Sequence, residues 1–159
     1  MATKLTADMK RIVTQQRLGY VATVCPDGTP NLSPKGTIAV WDDEHLIFAD
    51  IRSPGTMRNL EKNPAVEINI VDPFVRKGYR FKGTGKAIAD GKLFEEMMRF
   101  YQGRYADTAK KIGSSIRGFV LVEVGTAQPL ISPAYDDGSS DEVSIRKYWT
   151  SYFAGLNEV

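Results

Sequence analysis

Between Asn31 and Asn59 the chain gathers side chains suited to holding an anion: hydroxyls and cations at strand ends, followed by a helix start. In Arg52-Ser-Pro-Gly-Thr-Met-Arg-Asn-Leu60, Ser53 is placed to cap a helix with Pro54 in its first turn, where a missing N–H costs least. A phosphate monoester is stabilised by backbone N–H groups at a helix N-terminus together with hydroxyl donors and a cation. Arg52, Ser53, Thr56 and Arg58 are the candidate donors. The same residues also fit a plainer role, Ser53 capping its helix and the arginines solvated, because capping and anion binding share one geometry.

Other chemistry is scarce. His45 is the single histidine, so neither a serine triad nor a multi-histidine metal site can be assembled, and its place beside a hairpin turn reads as a solvated turn residue. There is no Walker loop, no dinucleotide glycine fingerprint after a strand, and no Cys-x-x-Cys pair.

The elements that position these residues follow from patterning. Thr6 precedes Met9, Ile12, Val13 and Gln16 at helical spacing. Leu18–Val24 is β-prone and ends at the turn Pro26-Asp27-Gly28, and Pro30–Val40 reads as extended chain broken near Pro34-Lys35-Gly36. Thr37–Trp41 and His45–Asp50 form a hairpin about Asp42-Asp43-Glu44, and Asn63-Pro64 ends the helix begun at Ser53. Val66, Ile68 and Ile70 alternate as in a half-buried strand. In the next strand Tyr79, Phe81, Gly83, Gly85, Ala87 and Ala89 share a tapering face, opposite Arg80, Lys82, Thr84, Lys86 and Ile88, as suits a tightly curved sheet. Leu93, Phe94, Met97, Met98 and Tyr101 predict a helix, followed by a polar, poorly patterned stretch from Gln102 to Arg117. Gly118–Val124 predicts a last strand and Val143–Tyr152 a helical tail.

Six or seven strands with short hairpins and flanking helices give an α+β, mainly β fold: a closed or split antiparallel β-barrel. At 159 residues and 42% hydrophobic content the chain is expected to form one domain, with a barrel core over about 10–125 and a C-terminal extension over 126–159. A net charge of +2, with both signs interleaved, provides no basic stripe for nucleic acid. No window approaches the roughly 18 apolar residues of a membrane span. The lone Cys25 and an N-terminal segment without the apolar run of a signal peptide point to a reducing cytoplasm.

Five pieces in order resemble the pyridoxamine 5′-phosphate oxidase-like, FMN-binding split-barrel family. They are Gly19-Tyr-Val-Ala-Thr-Val-Cys-Pro-Asp-Gly-Thr-Pro-Asn-Leu-Ser-Pro-Lys35, Leu46-Ile-Phe-Ala-Asp50, Arg52-Ser-Pro-Gly-Thr-Met-Arg-Asn-Leu60, Asn63-Pro-Ala-Val-Glu-Ile68 and Phe81-Lys-Gly-Thr-Gly-Lys-Ala87. The resemblance spans roughly residues 10–125 and implies a homodimer with FMN between its subunits, exchanging electrons with a small-molecule donor and acceptor. It places Ser33, Pro34, Lys35, Gly36 and Thr37 along the isoalloxazine and ribityl chain, with Ala49, Asp50 and Ile51 on the neighbouring strand end. Arg52, Ser53, Thr56, Arg58 and Asn59 fall in the phosphate pocket, and Lys82 is a secondary candidate reaching the flavin or phosphate from its strand. Since the flavin itself carries the redox chemistry, no acid–base residue is obligatory, and an oxidoreductase or electron carrier is implied.

The chain departs from the family in its tail. Members that oxidise pyridoxamine phosphate carry a C-terminal Arg-x-His, whereas Ile145-Arg-Lys-Tyr-Trp149 lacks histidine, and haem-degrading relatives also depend on one. The deazaflavin F420 remains an alternative cofactor, and a non-enzymatic flavin-binding or stress-related protein an alternative role. Tyr148, Trp149 and Tyr152 are expected to pack at the dimer interface.

Overall fold

The first helix starts where Thr6 predicts. In the computed structural model, which describes residues 2–104 and 115–156, Thr6 Oγ1 accepts the Met9 N–H at 3.3 Å and opens α1 (Ala7–Gln16), whose Ile12 and Val13 are buried. Arg17, at φ 56°, ends the helix and turns the chain into β1 (Gly19–Val24). A turn at Gly28, φ 84°, is held by Asp27 Oδ1 accepting from the Thr29 N–H and hydroxyl at 3.0 and 2.6 Å, and leads into β2 (Pro30–Lys35).

The chain continues through β3 (Ala39–Val40), β4 (His45–Asp50), α2 (Pro54–Lys62), β5 (Ala65–Asp72), β6 (Lys77–Ile88), α3 (Gly91–Arg104), β7 (Gly118–Ile131) and α4 (Glu142–Gly155). Every pairing is antiparallel, and the strand order is β2-β1-β5-β6-β7-β4-β3. The two ends of that order, β2 and β3, are joined by only Gly36, Thr37 and Ile38. A flat seven-stranded sheet would separate its edge strands by about 29 Å, six intervals of about 4.8 Å. Four Cα steps span at most about 14 Å. The sheet therefore curls into an antiparallel half-barrel, which accords with the expected mainly β, split-barrel architecture.

Curling creates two cores. Val21, Leu46, Phe48, Ile68, Phe81 and Val122 fill the concave interior with Ile12 and Val13 of α1. On the convex side α3 lays Met97 and Tyr101 over Ala39, Ile47, Ala49 and Phe119. This is why Leu46–Asp50 is buried throughout instead of alternating: β4 has a core on both faces. Each fully buried phenylalanine here contributes about 1.5–3 kcal/mol relative to exposure.

Two strand readings change. The tapering face of β6 holds through Phe81 and Gly85, but Ile88, assigned to the polar face, is buried in the convex core while Ala87 is exposed. Past Gly85 the other face of β6 passes beneath α3, and burial switches sides. Strand β7 continues seven residues beyond Val124, through Pro129 to Ile131, pairing with β6 to Lys77. Beyond Glu123 it has no ladder to β4, and an open edge accommodates a proline without losing a sheet bond. Of the polar stretch 102–117, residues 105–114 lie outside the described residues. The C-terminal tail is helical as expected, with a capping box between Asp141 and Ser144. No helix among the described residues is long and apolar enough to cross a membrane.

At Gly83, beside the register shift between β6 and β7, a Cβ would lie 1.9 Å from the Glu123 carbonyl oxygen. Gly83→Ala should lower stability by about 1–3 kcal/mol in urea unfolding. Gly103→Ala, in an open position on α3, should instead stabilise by about 0.5–1 kcal/mol.

Candidate functional site

The gap between the sheet's two ends brings together several of the candidate residues. Lys35 closes β2, Thr37 lies in the link to β3, Asp50 closes β4, and Ser53 stands at the N-cap position of α2. Lys35 is only 6% exposed. Its ammonium donates to Ser53 Oγ at 2.5 Å and to Ser33 Oγ at 2.7 Å. Burial pushes its pKa below lysine's ordinary 10.5, and the charge of Asp50 pulls the other way. Asp50 Oδ1 accepts the Ser53 N–H at 3.0 Å, so one carboxylate orients the loop and balances the charge at a distance.

Ser53 does not cap α2 with its side chain. Its hydroxyl is held by Lys35, while its carbonyl accepts the Met57 N–H at 3.1 Å. Among the described residues no side chain caps the first-turn N–H groups of α2, and that end of the helix carries the partial positive charge of its dipole. A buried cation, two hydroxyls and a helix start without a side-chain cap are the kinds of donor that hold a small oxyanion such as a phosphate.

Thr37 Oγ1 accepts the Ala49 N–H at 3.0 Å, and the Thr37 carbonyl accepts the Tyr101 hydroxyl at 2.5 Å, so the helix on the convex side fixes the link. Pro34 and Gly36 are exposed alongside it, and a Cβ at Gly36 would meet nothing within 4 Å. Ile51 packs partly into the convex core, and its carbonyl accepts from Arg117 Nη2 at 2.8 Å.

Thr56 and Asn59 face the sheet instead of the gap. Asn59 Nδ2 donates to Thr23 Oγ1 at 3.0 Å, and Asn31 Nδ2 donates to Thr23 Oγ1 at 3.2 Å and Thr56 Oγ1 at 3.4 Å. All three hydroxyl and amide side chains on Thr23, Thr56 and Asn59 are buried, forming a polar seam that fastens α2 to β1 and β2. Arg52 and Arg58 are exposed and make no bond among the described residues, which leaves both cations free to meet a ligand. Lys82 is not drawn into the cluster: it lies 3.4 Å from Glu67 Oε2, whose other oxygen meets Arg80 Nε at 2.9 Å.

Sequence reasoning overlooked Thr23, Asn31, Tyr101 and Arg117. Thr23 and Asn31 face each other across the β1–β2 register, a signal available once the hairpin is drawn. Nothing near Arg117 or Tyr101 in the sequence announces their bonds to loops more than sixty residues away.

With this geometry in view, known proteins supply the class. The profile of the pyridoxamine 5′-phosphate oxidase family matches residues 5–129, and the chain belongs to that family. An uncharacterised protein of Methanocaldococcus jannaschii is 27% identical over 126 residues, covering 76% of this chain and 77% of its own. The crystal structure of Group A Streptococcus HupZ is 31% identical, with a TM-score of 0.69, over 80% of this chain and 95% of HupZ. HutZ of Vibrio cholerae, described as a haem storage protein, shares the fold at 19% identity, with a TM-score of 0.64 over 81% of this chain and 95% of HutZ.

Because Lys35 has a lowered pKa, the folded chain binds fewer protons than the unfolded chain between that value and 10.5, so this group makes stability rise with pH across that window. Lys35→Met removes the contribution. Urea midpoints at pH 7 and pH 10 should show the difference between wild type and variant moving in favour of wild type at the higher pH.

Proposed function

We propose that this protein binds FMN, with the phosphate against Lys35, Ser53, Arg52 and the start of α2, and that it works as an FMN-dependent oxidoreductase. The observation that carries the reading is Lys35: a buried ammonium whose direct partners are two neutral hydroxyls, with Asp50 opposing its charge only from a distance, so that an incoming anion can pair with it directly. When bound, the flavin supplies hydride and electron transfer. The chain's own part is to hold and orient it. Ser33, Pro34 and Gly36 border the ring and ribityl chain, and Asp50 keeps Ser53 in place.

The cleft is completed by a second copy. Tyr20, Leu32 and Val71 are 49%, 65% and 40% exposed on the outer face of β2-β1-β5, where Tyr20 stands opposite both Pro34 and Asn69 and Leu32 opposite Ala22. Asn69 Oδ1 is buried on this face without a hydrogen-bond partner among the described residues, as expected of a surface that a second protein covers. A homodimer through this face would place its flavins beside the subunit boundary. Arg146, the arginine of the tail, lies 3.4 Å from Asp72 and 3.9 Å from Glu142, so it is engaged within its own subunit and offers no support for pyridoxamine phosphate as substrate.

The purified protein, mixed with FMN and passed through size exclusion, should run as a dimer that retains the visible flavin bands. Ser53→Ala should keep the dimer but weaken FMN by about tenfold or more, the loss of one charge-assisted contact. A dimer that ignores FMN yet retains F420 would replace the cofactor, and one that retains neither would overturn the reading.

A further inference from the structure

A second cleft, of ≈ 560 Å³, opens at the opposite ends of β4 and α2 from Lys35 and Ser53. Its apolar wall is Leu60, Pro64, Ala87 and Leu121, and its polar groups are His45, Glu61, Thr84, Lys86 and Glu123. The volume lies within the range of small-molecule sites, and an apolar wall with a few polar groups is their usual composition.

His45 determines the chemistry. Its Nδ1 lies 2.8 and 2.9 Å from the two carboxylate oxygens of Asp42, and Asp42 Oδ1 also accepts the N–H groups of Glu44 and His45 at 2.8 Å. An ionised carboxylate only accepts, so a neutral imidazole carries its proton on Nδ1 and offers a lone pair at Nε2. That nitrogen has no partner among the described residues, and Glu61 and Glu123 make no ion pair there either. The C-terminal end of α2 adds the negative end of a helix dipole. Acceptors thus outnumber donors around an apolar wall, with Lys86 the one cation in the lining.

We propose that this cleft is a second ligand site, separate from the anion receptor, that takes a small organic primary amine: its ammonium donates to His45 Nε2 and the carboxylates, and its apolar body lies on Leu60 and Leu121. A primary ammonium has three donors and no acceptor, the complement of this rim. The assignment does not rest on the flavin reading.

The test uses the full chain and tyramine, with 4-ethylphenol as the counterpart lacking the ammonium. His45 is the only histidine, so its ring resonances in the NMR spectrum report on this cleft without overlap. Tyramine should shift them saturably, and 4-ethylphenol should bind about tenfold more weakly or less. Glu123→Gln, at an exposed position compatible with folding, should weaken tyramine about fivefold, and Lys86→Met should strengthen it. His45 resonances that stay still, equal binding of the two probes, or a Glu123→Gln protein that binds tyramine as well as wild type would each overturn the proposal.

Discussion

Three residues, Gly36 to Ile38, join the two strands that stand at opposite ends of a seven-stranded order, and the curl of the sheet follows from that short tether. A flat sheet would need a longer connection, and a fully laddered barrel would pair β2 with β3. This chain does neither. It brings its two ends together covalently and leaves a gap, and the gap is bordered by Lys35, Thr37, Asp50 and Ser53. The Tyr101 hydroxyl on the Thr37 carbonyl holds the tether down from the convex side.

The curl also decides what each strand buries. Strand β4 lies between the concave interior and α3, so it has no polar face, while β1 and β5 bury one face and present the other outward. The outward face is the one with exposed Tyr20 and Leu32 and with the Asn69 oxygen that has no hydrogen-bond partner among the described residues. Which faces are packed and which stay exposed thus follows from one topology: the outer face of β2-β1-β5 is the one that α3 does not cover.

Helix α2 links the two ends chemically. Its N-terminus faces a buried ammonium and two exposed arginines, and its C-terminus borders a cleft with an oriented imidazole and two carboxylates that make no ion pair among the described residues. The helix dipole would favour an anion at the first end and a cation at the second. The polar seam of Thr23, Asn31, Thr56 and Asn59 fixes the helix between them, so buried polar residues that resemble ligand contacts in the sequence serve here as fasteners.

Much of this was legible in the sequence. Local signals placed the Thr6 cap, the Gly28 turn, the hairpin about Asp42, the start of α2 at Pro54 and the alternation of β5, because each depends on residues only a few positions apart. The ordered motifs from Gly19 to Ala87 also carried the family. Tertiary structure alone decided that the Ser53 hydroxyl meets Lys35 instead of capping its own helix, that Asn59 reaches Thr23, and that Ile88 turns inward. Those outcomes depend on contacts 18 and 36 residues apart and on which face α3 covers. Periodicity records which side of an element is apolar, but the curvature that selects its neighbour arises only when the sheet closes on itself.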